Sequence, residues 1–177
     1  QIENTKYGLY FYDAYKNKKA DRFYLCDLNN DGIAELMAFY DFYTDRSHIY
    51  VYTYKSGMLV YAGFIQQRYY DPKFNKDTKI LYITNPVRLT DSYYGYVFNG
   101  NVIEEKYVAC ESFDPFDGFS TYYVEKKEVQ KNEYEKYINK YFSFINDDKY
   151  NLNLIDNTDA NILKYIKGNG GGGGSSW

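Results

Sequence analysis

The sequence predicts an α+β fold: mostly antiparallel β-sheet built of hairpins, with an N-terminal helix and an amphipathic helix near the C terminus. Two observations predict the sheet. Short runs rich in Tyr, Val and Ile alternate with polar loops, and Ser56-Gly57 and Asn99-Gly100 stand between such runs as turn dipeptides. A third predicts the C-terminal helix, where apolar residues after Asn132 recur at helical spacing.

Taken in order, Tyr7, Phe11, Ala14 and Tyr15 recur at helical spacing and place the first helix over residues 7–15, weakened by Gly8. Residues 23–26 and 36–40 are apolar segments on either side of a polar loop and read as strand–loop–strand. Residues 49–54, the turn Ser56-Gly57 and residues 59–61 read as a hairpin. Residues 80–84 form a further strand. Residues 93–98 meet Val102-Ile103 across Asn99-Gly100, whose two residues tolerate the positive φ of a type I′ turn. Residues 121–124 add another strand.

The main helix starts after Asn132, with Asn132 as its cap, Glu135 three residues on as in a capping box, and Glu133 at the positive end of the dipole. Tyr134, Ile138, Tyr141, Phe142 and Ile145 then form one stripe, which packs on the sheet. A last helix spans residues 159–167, with Asn157 or Thr158 at its start and Gly168 past its end. The globular domain is residues 1–167, and the Gly/Ser-rich tail 168–177 has the composition of a flexible linker.

A chain of 177 residues, 45% hydrophobic and 25% charged, is long and apolar enough to bury a core, which excludes disorder for its body. The net charge of -3, with Lys and Glu interleaved and no basic stripe, disfavours nucleic acid as a partner. No apolar run approaches the roughly 20 residues that a membrane-spanning helix needs. Gln1 rather than Met at the start reads as a chain processed or cut from a longer one. The 25 Tyr and 12 Phe against one Trp have two readings: exposed Tyr that meet a protein or a glycan, or an A/T-rich coding sequence. Cys26 and Cys110 are compatible with one disulfide in an oxidising compartment or with two buried thiols. With His48 as the only histidine, a zinc site lacks ligands.

One motif carries chemistry. In Asp27-Leu-Asn-Asn-Asp-Gly-Ile-Ala-Glu35, the side chains of Asp27, Asn29 and Asp31 converge when the loop curls. Gly32 permits the sharp turn, the Ile33 carbonyl can point inward, and Glu35 closes the ring. Three carboxylates, an amide oxygen and a backbone carbonyl make a hard-oxygen set suited to the roughly six to eight ligands of Ca²⁺. Mg²⁺ prefers a tighter octahedron, and softer metals prefer nitrogen or sulfur. An EF-hand does not fit: its twelfth position is Ala38, and the flanking segments look extended.

The pattern D-x-N-x-D-G-x-x-E-L from Asp27 to Leu36 instead resembles the calcium loops between strands of FG-GAP (integrin α-like) repeats. It also resembles the single such loop of secreted and lipid-anchored proteins of Gram-positive bacteria, which follow it with an apolar strand and a Tyr-rich hairpin, as in Val51-Tyr-Thr-Tyr-Lys-Ser-Gly57. The resemblance covers residues 23–61. It implies Asp27, Asn29, Asp31 and Glu35 as side-chain ligands, Ile33 as a backbone ligand, and an extracellular or cell-envelope location. Asn30 departs from the Gly that often stands at its position.

No catalytic constellation accompanies the loop. The reading that follows is a calcium-stabilised, non-catalytic extracellular or cell-surface binding domain. The alternative is a secreted hydrolase acting on glycans through the loop carboxylates Asp114 and Asp117, which would need one of raised pKa across a cleft.

Overall fold

A computed structural model describes residues 2–5, 8–13, 18–42, 46–67, 72–87, 89–158 and 160–161. Three antiparallel sheets follow one another. The first joins β1 (Ile2–Thr5), β2 (Gly8–Asp13) and β3 (Lys18–Lys19). The second is built from β4 (Arg22–Cys26), β5 (Glu35–Phe42), β6 (Arg46–Lys55) and β7 (Met58–Gln67), each pairing with the next. The third runs β8 (Lys73–Asn75), β9 (Ile80–Val87), β10 (Thr90–Phe98), β11 (Ile103–Phe113), β12 (Ser120–Val124) and β13 (Lys127–Val129), again in chain order. The helix α1 (Lys131–Tyr141) and a 3-10 turn at Asp148–Tyr150 precede β14 (Ile155–Asp156), which returns to the free edge of β4.

The period-two rule builds the core. In β6, Ile49, Val51 and Thr53 are buried on one face, while on the other Tyr50 and Tyr52 are half-buried against the cluster of Phe23, Leu36, Ala38 and Tyr40, and Tyr54 is exposed. The inward row of the second sheet meets Leu81, Ile83 and Phe98 of the third, so the two sheets share one apolar layer with Met37, Phe39 and Ile65. The sheets come close at Gly63 of β7, where an added Cβ would stand 2.5 Å from Ile103 Cγ2 of β11. On its other face the third sheet buries Tyr82 and Ala109 beneath Tyr134 and Phe142 at the C-terminal helix.

The mostly antiparallel sheet, the hairpins and the C-terminal amphipathic helix match the sequence reading. The N-terminal helix is not seen. Gly8–Asp13 runs as a strand paired with Ile2–Thr5, whereas Tyr7, Ala14 and Tyr15 lie outside the described residues. Four apolar residues at helical spacing are a short signal, and Tyr and Phe favour strands once a partner is available. The hairpin at Ser56-Gly57 has φ of 49° and 83°, as a tight mirror-image turn requires. At Asn99-Gly100 the expected two-residue turn gives way to a longer loop, where only Gly100 takes positive φ. Asn99 acts through its side chain instead, Oδ1 accepting Asn101 N–H at 3.0 Å and Val102 N–H at 3.1 Å.

Helix α1 begins two residues early, with Gln130 at its cap position and no side-chain cap, so the capping box on Asn132 and Glu135 does not form. The predicted stripe does pack as a unit: Tyr134, Ile138, Tyr141, Phe142 and Ile145 all meet the third sheet, although the helix ends at Tyr141. Of the last predicted helix, residues 160–161 are described and helical, and Thr158 Oγ1 accepts Asn161 N–H at 3.3 Å. Its remainder and the Gly/Ser tail lie outside the described residues. Cys26 and Cys110 are both free thiols.

Candidate functional site

Strands β4 and β5 separate at the pair Cys26↔Glu35, and the loop between them carries the motif. Its first residue organises it. Asp27 Oδ1 accepts Asn30 N–H at 2.6 Å and Asp31 N–H at 3.1 Å, while Oδ2 accepts Gly32 N–H at 2.9 Å. Such a wrap requires left-handed backbone at two places, which Asn30 (φ 68°) and Gly32 (φ 84°) supply. Asn tolerates that region better than other residues with a side chain, so it replaces Gly at position 30 without disturbing the turn.

Asn29 Oδ1 accepts Asp31 N–H at 3.1 Å and its Nδ2 donates to Asp31 Oδ2 at 2.8 Å. Asp31 Oδ1 accepts Ile33 N–H at 2.8 Å. Asp27, Asn29 and Asp31 thus occupy one exposed turn, and Ile33 enters it through its backbone with its side chain in solvent.

Glu35 behaves differently. It opens the inward row of β5 ahead of Met37 and Phe39, and it is 0% exposed. Its Oε2 accepts Leu28 N–H at 2.8 Å, which ties it to the loop, and its Oε1 accepts Thr53 Oγ1–H at 3.0 Å from β6. Burial raises the Glu35 pKa, the two hydrogen bonds lower it, and the charges acting on it, Asp31 and Asp27, are both negative and raise it further. Thr53 is the residue that sequence reading missed; its signal was the inward row Ile49–Val51–Thr53, in which a polar side chain replaces an apolar one.

The third sheet also reaches this loop. Lys79 Nζ, from the β8–β9 turn, donates to Asn30 Oδ1 at 3.1 Å, and Gly100 leaves only 3.4 Å between its would-be Cβ and Asn29 Nδ2. Lys55 donates to Asn101 and joins the two neighbouring hairpins. Desolvation pushes the adjacent Cys26 thiol up to about 11, so it stays protonated at neutral pH. Among the described residues, no three carboxylate, imidazole or thiol groups stand close enough together to hold a metal.

The second carboxylate pair has no comparable setting. Asp114 and Asp117 share one exposed turn, where they accept Phe116 N–H at 2.8 Å and Phe119 N–H at 2.9 Å. His48 lies in β6 with its ring edge-on to Phe64 at 5.0 Å. Exposed aromatics exist, chiefly Tyr54, Tyr61 and Phe64 on the second sheet and Phe116 and Phe119 on that turn, while Tyr40, Tyr82 and Tyr134 are buried. No helix among the described residues is long and apolar enough to cross a membrane. No family model matches the chain, and no similar curated protein or solved structure is found.

Proposed function

We propose that the chain is a calcium-stabilised, non-catalytic binding domain that works outside the cell or at its surface. The observation that supports this reading is Glu35: a carboxylate in a core position, tied to a loop that holds two more carboxylates. The charges that bear on it are negative, so a divalent cation would relieve both its burial and the repulsion from Asp27 and Asp31. All the donors available are hard oxygens, the set that Ca²⁺ takes. Asp27, Asn29, Asp31, the Ile33 carbonyl and Glu35 are the ligands, and ligation exchanges the Asn29–Asp31 side-chain bond for bonds to the ion. The resemblance to secreted and lipid-anchored proteins supplies the location, where millimolar calcium fills even a weak site. Its partners are a protein or a glycan, met through exposed Tyr.

An ion that binds only the folded state adds RT ln(1 + [L]/Kd), about 2.7 kcal/mol at a hundred times Kd. The thermal midpoint is therefore expected to rise with the logarithm of calcium concentration, to rise less with magnesium, and to lose this response in Asp31→Ala. Asp31 is exposed, so its removal leaves the core intact. Identical melting curves in calcium and in chelator would end the proposal.

A further inference from the structure

We infer that the cavity over the third sheet is a binding site for a neutral oligosaccharide. The cavity measures about 760 Å³ and lies between the strands β8–β10 and the segment 145–153 that crosses them after α1. That volume falls within the range of small-molecule sites, roughly 300–1,000 Å³. Among the described residues its wall carries one cation, Lys73, which is already committed: its Nζ stands 3.6 Å from Asp148 Oδ1 and donates to the Asp147 carbonyl at 3.3 Å. Asp148 also accepts Asn151 Nδ2–H at 3.1 Å.

Four other lining side chains, Asp91, Tyr93, Asn146 and Asn153, hydrogen-bond to no other described residue. They therefore present free donors and acceptors toward one space.

The chemistry of the wall selects the ligand class. A lipid tail would bury four polar groups without partners, which costs more than it gains. A phosphate or an acidic sugar would meet the negative charge of Asp91, while Lys73 already faces Asp148. A neutral polyhydroxylated ring fits both constraints. The carboxamides of Asn146 and Asn153 each offer a donor beside an acceptor for adjacent hydroxyls, Asp91 accepts from hydroxyls, and the half-buried Tyr93 ring lines the same cavity for the less polar face of a sugar. The inference rests on the binding-domain reading and names its ligand, but it does not need the cation: no cavity residue belongs to the loop 27–35.

The test uses the full chain in calcium, with saturation-transfer NMR and calorimetry against millimolar cellotriose, maltotriose, mannotriose and tri-N-acetylchitotriose, and glucose 6-phosphate as an anionic probe. At least one trisaccharide is expected to bind. Affinity is expected to fall about tenfold or more in Asp91→Ala and in Asn153→Ala, both at exposed positions that leave the fold intact by circular dichroism, and to persist in Phe116→Ser. Three results overturn the proposal: no trisaccharide binds, binding survives both cavity substitutions, or glucose 6-phosphate competes as well as the sugars. Absent sugar binding in a chain whose melting point still responds to calcium overturns the cavity alone. Sugar binding in a chain with no such response overturns the calcium reading alone.

Discussion

Glu35 is the residue at which stability and the proposed ion binding meet. In the metal-free chain its raised pKa means that the folded state holds the proton to higher pH than the unfolded state does. Its contribution is thus fully present below the ordinary value of 4.5 and is lost as pH rises through the higher folded value. In chelator, the midpoint of the natural chain is expected to fall relative to Glu35→Gln as pH rises from acid to neutral. Under the proposed ligation, saturating calcium would favour the carboxylate, so there the same difference is expected to run the other way. A difference that ignores pH in both media contradicts the placement of Glu35 in the core.

Among the elements, the hairpins were the most legible because their signals are local. Ser56-Gly57 forms the tight turn its sequence demands, and the alternation of β6 sends its tyrosines to the face opposite Ile49, Val51 and Thr53. Where a signal depended on a choice between local partners it was less secure: Asn99 could enter the turn by its backbone or cap it by its side chain, and it caps. Gly63 belongs to another category. Nothing in the run Met58–Gln67 marks it, yet β7 and β11 approach so closely there that an added methyl would meet Ile103 Cγ2 at 2.5 Å. Gly63→Ala is expected to cost about 1–3 kcal/mol by overpacking. Urea unfolding should show part of that cost recovered in the double variant with Ile103→Ala, as a coupling of about 1 kcal/mol between the two sites. Additive effects would place the strain in the φ of 146° alone.

At the scale of the whole molecule, two sheets share one apolar layer and the C-terminal helix covers the outer face of the third sheet. This arrangement separates residues of one type. Phe142 is 1% exposed and packs against Tyr82 at 5.7 Å and Tyr93 at 5.8 Å, whereas Phe116 is 98% exposed on its turn. Phe142→Ala is expected to cost about 3–5 kcal/mol in chemical unfolding. Phe116→Ser should stay within about 0.5 kcal/mol of the natural chain. A large loss from Phe116→Ser would mean that the turn is buried by something else.

The amino-acid order alone was enough to define the strand–loop–strand unit around residues 27–35, the hairpin at Ser56-Gly57 and the apolar stripe of the C-terminal helix. Each depends on neighbours a few residues apart, where backbone geometry repeats and side-chain spacing translates directly into faces. Long-range packing decided the rest: that β14 returns to β4, that Gly8–Asp13 is a strand, that Thr53 and Lys79 reach the loop, and which phenylalanines are buried. Those outcomes turn on which segments meet across the core. Burial and pairing free energies between distant segments leave no periodic trace in either one.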